Sequence, residues 1–400
     1  MIPVFRAVPP SAAQLAADAD APHIVYLAAA RDLLALATSA AGIGIDLSRE
    51  VARVVASSAE LGRLARELEH TDAALARRVQ RYLHTGGVWK LRTHELHLDG
   101  PHVMGILNLT DDSFSGDGVG ADLTAALRRA SELREAGASI IDVGAESARA
   151  DRPALEAEAE ATLVGSVVAA LVREGHVVSS DSYKPLVAHA ALESGAEIVN
   201  DISGLTLGTG AAREAAKAGA GYVLNYSYSL PKRRPDAPPE YGDVVAETVA
   251  WMETKAAELF ALGLSPAQVA IDPGIAFGKS HDEDITVLRR LGELRSAGLP
   301  ILLAHSRKNF IGSINSRPPA DRDLETHILS AMAYEQGARI FRVHDPAGAV
   351  RALEMAAALA SQPSGAFAPD GESWPWCAGA SAAHMTQSAP DKAAPRGQRW

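Results

Sequence analysis

Cysteine is almost absent from this chain of 400 residues, which contains only Cys377. Neither a disulfide framework nor a cysteine-based metal site can therefore form within one chain, which suits a reducing compartment. We accordingly expect a cytoplasmic protein. Long apolar runs are also missing, because the most apolar early stretch, at residues 24–45, is interrupted by Arg31 and Asp32. We predict that no segment spans a membrane.

Positive charge is also scarce. The chain has 38 Lys and Arg residues against 49 Asp and Glu residues, a net charge of -11 at pH 7. An acidic surface repels polyphosphate backbones, so we expect no nucleic-acid partner, although a local basic pocket remains compatible with this charge. With 47% hydrophobic residues, the chain can bury a large core, and its length favours one large domain with an appendage.

The chain divides by pattern into three zones. In residues 1–100, a helical repeat of apolar residues with a break at Thr71 and Asp72 precedes a short predicted hairpin at residues 88–100. This zone holds no catalytic constellation, so we interpret it as a small α/β packing domain. Residues 362–400 are rich in Ser, Ala, Pro and Gly, and this composition predicts a disordered tail.

The middle zone, residues 101–361, alternates short apolar runs with longer amphipathic segments. The apolar runs are VMGILNL, SIIDVG, HVVSSD, AEIVND, GYVLNY, QVAID, PILLAHS and RIFRVHD. Runs without two-residue alternation are typical of parallel strands buried on both faces. Eight strand-and-helix units in about 260 residues predict a (β/α)8 TIM barrel. A doubly wound open sheet is the alternative, and the lack of a Gly-rich fingerprint after the first run counts against it.

Polar acceptors close the first six runs, at the strand ends where such a barrel carries its active site. In chain order they are Asn108, Asp142, Asp181, Asn200 with Asp201, Asn225 and Asp272. Each one alone could simply cap the helix that follows it. Asp181, Asn200 and Asp272 together would face one mouth, where acids without donors repel one another. The set therefore predicts a ligand rich in N–H groups.

Basic residues close the last two runs. Lys308 follows Ser306 and Arg307 after the seventh run, and Arg342 and His344 close the eighth. Loops after strands 7 and 8 of such barrels commonly bind phosphate, and Arg offers phosphate a planar fork of donors. We predict that acids and bases occupy opposite walls of one mouth, with the bases facing an anion. In the structural alternative, Arg342 pairs with a neighbouring carboxylate and His344 caps the last helix.

Longer strings around these residues resemble the dihydropteroate synthase family, in family order over residues 101–360. The matching strings are MGILNLTDDSFS, IIDVGAES, SDSYKPLVAHAALESGAEIVNDISG, DPGIAFGK, SRKNFIG and RVHD. The resemblance implies a pterin-binding TIM barrel that condenses 6-hydroxymethyl-7,8-dihydropterin pyrophosphate with p-aminobenzoate. The implied products are 7,8-dihydropteroate and pyrophosphate, in folate biosynthesis. It further implies small-molecule partners and a homodimer formed through outer helices.

The resemblance also implies roles for individual residues. The pterin pocket is matched by Asp181, Asn200, Asp272 and Lys308. Carboxylates suit that role, because one carboxylate can accept two N–H donors from an aminopyrimidinone edge in charge-assisted bonds worth about 1.5–3 kcal/mol each.

The pyrophosphate half of the site is matched by Asn108, Arg342 and His344, with Mg²⁺ expected beside Asn108. Together with Lys308 these residues form the implied catalytic set. Three further residues match positions on or near the path of p-aminobenzoate, and they are Phe114, Arg149 and Ser306.

Departures from the family's usual pattern keep other functions open. The fifth run leads into NYSYSL at residues 225–230, where the family has a Met-His-Met stretch. Single-residue departures fall at Asp111, Gly116, Asp117, Ala148 and Ala276. None removes an anchoring charge, yet they leave a non-catalytic or repurposed pterin-binding paralogue as an alternative. A pterin-dependent methyltransferase is a second alternative. It would bind no pyrophosphate, so the basic residues after the seventh and eighth runs would have no anion to bind.

Overall fold

The computed structural model describes residues 5–8, 23–27, 45–46, 52–83, 87–110, 118–146, 154–228 and 239–361. These residues belong to one compact unit. Within them, none of the helices combines the length and the apolar character that a membrane crossing requires.

The described strands form three sheets. In chain order, β1 to β14 span Phe5–Val8, His23–Leu27, Ile45–Asp46, Ala52–Ala56, Val88–Lys90, Glu95–His97, His102–Asn108, Ile140–Gly144, Val178–Asp181, Ile198–Asp201, Gly221–Asn225, Val269–Asp272, Ile301–Leu303 and Ala338–Val343. Strands β1 to β4 form an antiparallel sheet in the order β1-β2-β4-β3, and β5 pairs with β6. Strands β7 to β14 are parallel and close into a barrel, in which β14 pairs with β7. Closure confirms the predicted TIM barrel and excludes the open sheet.

Among the described residues, two helices precede the barrel, and the others separate its strands or follow the last one. In chain order, α1 to α11 span Ser58–Leu68, Ala73–Leu83, Leu123–Glu135, Ala157–Arg173, Pro185–Glu193, Gly210–Ala218, Val244–Ala261, His281–Arg289, Asn309–Asn315, Asp323–Glu335 and Pro346–Ser361. Side chains before α1, α3 and α8 satisfy the first free backbone N–H groups, with Ser57, Asp122 and Ser280 as the caps;. The break between α1 and α2 falls at the predicted position.

The barrel interior is filled by side chains from alternate strands, as the closed geometry requires. One buried aliphatic layer comes from the strands β8, β10, β12 and β14, and consists of Ile140, Ile198, Ala270 and Ile340. Side chains of a strand alternate between its faces, so the next inward position lies two residues further along each strand. Those positions are polar in all four strands, and they are Asp142, Asn200, Asp272 and Arg342. The apolar core therefore gives way to a polar layer at the C-terminal ends of the strands.

The predicted hairpin, β5 and β6, closes the opposite end of the barrel. Trp89 and Leu91 are buried in the same core as the aliphatic layer. The indole Nε1 of Trp89 donates to the backbone oxygen of Gln268 at 2.9 Å, directly before β12. Helix α2 is attached to the barrel by an ion pair of 2.6 Å between Arg78 and Glu253 of α7. The N-terminal end of the barrel is thus sealed, and the polar layer faces the other end.

The sequence-based description of the first zone was incomplete. It foresaw the helices and the hairpin of the small α/β region, but not the four-stranded sheet. That sheet depends on strands far apart in the chain, for example β1 with β2 in the pairing of Phe5 with Leu27. The division of the chain at residue 100 stays a prediction, and the tail at residues 362–400 lies outside the described residues.

Candidate active site

The polar layer brings together three of the residues that the sequence nominated. Asn200, Asp272 and Arg342 come from β10, β12 and β14, and Asp142 of β8 completes the layer. Asp142, Asn200 and Asp272 are buried, and the Arg342 side chain is 18% exposed. Buried polar groups above an apolar layer depend on one another for hydrogen bonds, because each would be costly to bury alone.

Arg342 lies between two carboxylates. Its Nε donates to Asp142 Oδ2 at 2.5 Å, and its Nη2 donates to Asp181 Oδ2 at 2.6 Å. Burial disfavours the charged guanidinium, but Asp142 and Asp181 outweigh that effect and raise the pKa of Arg342 above its ordinary value;. The prediction of acids and bases on opposite walls is therefore wrong. A buried guanidinium needs counter-charges beside it, as the structural alternative for Arg342 anticipated.

Asp142 extends this network to Asn200. The same Oδ2 atom that binds Arg342 accepts the side-chain N–H of Asn200 at 3.0 Å. Sequence reasoning gave Asp142 no role beyond ending a strand. The signal that could have found it is its register, because it lies two residues after an interior aliphatic residue, as Asn200 does.

Asp181 ends β9 and completes the carboxylate pair. Burial is the main influence on this side chain and raises its pKa to about 7, with Arg342 opposing the rise and Asp142 adding to it;. The neighbouring strand leaves room for Asp181 at Gly144, where an added Cβ would lie 3.3 Å from its Oδ2. Asp181 can therefore accept hydrogen bonds best at and above neutral pH.

The loop after β12 contacts both of the other predicted pterin residues, Asp272 and Lys308. Asp272 Oδ1 accepts the backbone N–H of Gly274 at 2.8 Å, and Lys308 Nζ donates to the backbone oxygen of Ile275 at 2.6 Å. Burial raises the pKa of Asp272 and lowers that of Lys308, and each charge opposes the shift of the other. Gly274 is required here, since its φ is +65° and a Cβ would lie 2.0 Å from the Tyr226 oxygen.

Ser306 and His344 form a second pair beside the polar layer. His344 Nδ1 lies 2.9 Å from Ser306 Oγ, which also accepts the backbone N–H of His344 at 3.3 Å. Arg129 of α3 donates to the backbone oxygen of His344 at 3.1 Å, a neighbour that the sequence did not suggest. The structure thus joins the ends of β13 and β14, as predicted.

Arg307 does not join this group, although the sequence placed it in the basic cluster. Its Nε and Nη2 each donate to Asp323 at 2.7 Å, at the start of α10. The backbone of Arg307 is left-handed, with φ of +59°. That turn directs its side chain to Asp323, which corrects the sequence-based grouping.

Phe114 and Arg149 lie outside the described residues. The two described ends of the loop that contains Arg149 are held together by Glu146, whose Oε2 accepts the backbone N–H of Leu155 at 2.9 Å. Lys184 Nζ donates to both ends, at 2.6 Å to Glu146 and at 2.6 Å to the Leu155 oxygen. The ends of this loop are therefore tied to the loop after β9.

Asn108 ends β7, and its side chain is partly exposed. Among the described residues there is no group of three or more His, Cys, Asp or Glu side chains that could hold a metal ion. The Asn108 amide oxygen is a hard donor of the kind that Mg²⁺ accepts. It could supply one ligand to an ion that takes the others from phosphate oxygens and water.

Comparison with known proteins agrees with this geometry. Residues 104–344 match the family described as pterin binding enzyme. A Mycobacterium leprae protein named dihydropteroate synthase is 38% identical over 262 residues, covering 64% of this chain and 92% of the relative. Two solved dihydropteroate synthases cover 68% and 69% of this chain and nearly all of their own. The Thermus thermophilus structure with 4-aminobenzoate has a TM-score of 0.61 at 34% identity, over 99% of its length. The Xanthomonas albilineans structure with 7,8-dihydropteroate has a TM-score of 0.61 at 33% identity, over 100% of its length.

The chain belongs to the dihydropteroate synthase family of pterin-binding enzymes. The matched range begins at Met104 in β7 and ends at His344, directly after β14. It therefore contains every site residue described above. The roles of the individual residues stay predictions.

One family departure lies beside Asp272. Tyr226 is the second residue of the stretch that replaces the family's Met-His-Met pattern, and Lys279 Nζ lies 3.6 Å from the centroid of its ring. Lys279 also donates to the backbone oxygens of Pro273 and Gly274, at 2.9 and 3.3 Å. Burial lowers the pKa of Lys279 to about 7. Tyr226 thus supports the ammonium group that holds the loop after Asp272.

Ala276 is a second departure, at a position where the family has glycine. Its φ is +67°, a left-handed conformation that a Cβ disfavours;. Its N–H donates to both oxygens of Asp284, at 2.9 and 3.1 Å. These bonds hold the backbone in a conformation that glycine would adopt more readily.

We predict that Ala276→Gly raises the free energy of unfolding by about 1 kcal/mol, because it relieves the left-handed strain. Urea denaturation measures the change. The matched control is Ala257→Gly on the exposed face of α7, which should lower the same quantity by about 0.5–1 kcal/mol. A destabilised Ala276→Gly protein would contradict the assignment of strain.

Proposed function

We propose that this chain is a dihydropteroate synthase. It condenses 6-hydroxymethyl-7,8-dihydropterin pyrophosphate with p-aminobenzoate to give 7,8-dihydropteroate and pyrophosphate in folate biosynthesis. The observation that carries the proposal is the network of Asp181, Arg342, Asp142 and Asn200, which sets acceptors and a cation side by side at the end of the barrel. Family membership supplies the reaction.

The pterin takes the acceptor side of this network. Asp181, Asn200 and Asp272 offer oxygen acceptors to the N–H groups of the aminopyrimidinone edge, and Lys308 offers a donor to a ring acceptor. The relevant side chains are buried or partly buried, which strengthens each hydrogen bond relative to water. A buried acceptor left without a donor would be costly, so these groups select a heterocycle that satisfies them.

The pyrophosphate takes the cationic side. Arg342 presents guanidinium N–H groups, and His344 presents an imidazole at the end of the same strand, beside Ser306 from the adjacent strand end. Positive charge fixed in advance at the leaving group stabilises the negative charge that develops there. The chain's own contribution to the rate is then mainly electrostatic.

The condensation needs no strong base to activate its nucleophile. The C–O bond between the pterin methylene group and the pyrophosphate breaks, and its electron pair leaves with the pyrophosphate. The arylamine nitrogen of p-aminobenzoate then forms a bond to the methylene carbon, and its proton passes to the departing pyrophosphate or to water. An aromatic amine is already a nucleophile, so the site's task is to hold the two partners close and to exclude water.

We also propose that Mg²⁺ takes part, with Asn108 as a protein ligand. When bound, the ion would neutralise charge on the pyrophosphate oxygens. Mg²⁺ commonly binds through one or two protein ligands plus substrate phosphates, which fits the single amide oxygen offered here.

We also propose a cytoplasmic location, because a chain with a single cysteine suits a reducing compartment;.

The decisive experiment is calorimetry followed by a product assay. The proposal predicts that pterin pyrophosphate binds, and that pyrophosphate is released only when p-aminobenzoate is added. Release of 7,8-dihydropteroate in equal amount completes the test. Binding without release would favour a non-catalytic pterin-binding paralogue, and the absence of binding would reject the proposal. Methyl transfer without pyrophosphate release would favour the methyltransferase.

Pterin binding should depend on the ionisation of Asp181. Because burial raises its pKa to about 7, the carboxylate is mostly ionised above that pH and mostly protonated below it. Affinity for the pterin should therefore fall roughly tenfold from pH 8 to pH 6. Asp181→Asn should cost at least about tenfold in affinity and activity at pH 8, and should flatten this profile. Near-normal turnover of Asp181→Asn would refute the role of Asp181.

We propose in addition that the chain forms a homodimer through α10 and α11. These helices pack against each other and carry an exposed apolar stripe. On α10 the stripe comprises Leu324, Ile328 and Met332, spaced four residues apart, and on α11 it comprises Met355 and Leu359; each is more than half exposed. Spacing of four residues places side chains on one helix face, and such a stripe on a charged surface suits a self-complementary interface.

Ile328→Glu should convert the dimer to a monomer, because it places a charge at the centre of the stripe. Analytical ultracentrifugation at micromolar concentration measures the mass. The matched control is Ile314→Glu on α9, another exposed isoleucine that lies outside the stripe, and it should leave the mass unchanged. A wild-type monomer, or an Ile328→Glu dimer, would reject this interface.

A further inference from the structure

Asp142 is the member of the polar layer to which the predicted site assigned nothing. We propose that Asp142 is a positioning residue, which holds Arg342 on the pyrophosphate side while Asp181 is engaged by the pterin. This inference rests on the proposed function and deepens it, since it names the residue that allows both halves of one substrate to be bound together.

Asp142 joins two strand ends of the barrel. Asp142 is fully buried, and its Oδ2 accepts hydrogen bonds from Arg342 at 2.5 Å and from Asn200 at 3.0 Å. These partners come from β14 and β10, each two strands away from β8 in the barrel order. One oxygen atom therefore fixes a predicted pyrophosphate residue relative to a predicted pterin residue.

Arg342 needs a carboxylate beside it when the pterin is bound. Asp181 has two demands on its oxygens, because it bonds Arg342 in the structure and is predicted to accept N–H groups of the pterin. When the pterin occupies Asp181, the hold of that carboxylate on the guanidinium weakens. Asp142 then remains as the carboxylate that orients Arg342, and it keeps a buried cation paired.

Asp142 makes its described contacts through one oxygen. Its Oδ2 atom binds both Arg342 and Asn200, whereas its Oδ1 atom is buried and has no hydrogen-bond partner among the described residues. The contacts that this carboxylate makes in the polar layer are therefore those that orient Arg342 and Asn200.

The test compares two ligands of the wild type and of Asp142→Asn by calorimetry. The ligands are 6-hydroxymethyl-7,8-dihydropterin pyrophosphate and 6-hydroxymethyl-7,8-dihydropterin, which lacks the pyrophosphate. Loss of a charge-assisted bond to Arg342 should weaken binding of the pyrophosphate by about tenfold to a hundredfold. Binding of the pterin alone should change by less than about threefold, because the amide in Asp142→Asn keeps an oxygen that can accept the N–H of Asn200. The ratio of the two affinities is the readout, because a general loss of structure would lower both.

Two further variants keep the result unambiguous. Asp142→Ser removes the charged carboxylate together with its bulk but keeps a hydroxyl acceptor, and it gives the same comparison if Asp142→Asn does not fold. Glu293→Gln is the matched control, since Glu293 is a buried carboxylate paired with Arg290 at 2.7 Å away from the polar layer. It should leave the affinity ratio unchanged.

The outcomes separate this inference from the proposed function. If the wild type fails to bind pterin pyrophosphate, the proposed function is wrong. If the wild type binds it and the affinity ratio is the same in the Asp142 variants, only the positioning role of Asp142 is wrong. Equal weakening of both ligands would also overturn that role.

Discussion

The contact on which the site depends is the guanidinium of Arg342 held between Asp142 and Asp181, at 2.5 and 2.6 Å. A cation at this depth is tolerable only when carboxylates compensate it, and two carboxylates this close together are tolerable only with the cation between them. Each group therefore influences the ionisation of the others. An active site that must bind a polar heterocycle and an anion side by side gains from such an arrangement, because little has to reorganise when charge moves to the leaving group.

The barrel makes this network possible by layering. Aliphatic side chains from β8, β10, β12 and β14 fill the interior, and the polar layer lies two residues further along the same strands. The hairpin with Trp89 seals the other end of the barrel. Residues that are 200 positions apart in sequence, Asp142 and Arg342, meet because closure of the sheet brings alternate strands into one layer.

Two family departures are held in place by local contacts of this chain. Tyr226 supplies an aromatic face to Lys279, which in turn holds the loop that follows Asp272. Ala276 occupies a left-handed position and is held there by Asp284. Both changes lie beside the predicted pterin residues without removing an anchoring charge, so the affinity of the site is expected to be tuned rather than abolished.

The sequence by itself determined the barrel, because eight apolar runs at regular spacing have few other ways to bury both faces of a sheet. It also determined which strand ends carry Asp181, Asn200, Asp272, Lys308 and Arg342, since these positions follow from the runs and the motifs. Only the tertiary structure decided how the charges pair. The sequence could not show that Arg342 lies between the acids, that Arg307 turns to Asp323, or that Asp142 joins two strand ends. Those facts depend on side-chain directions across a closed sheet, and one-dimensional spacing does not contain them.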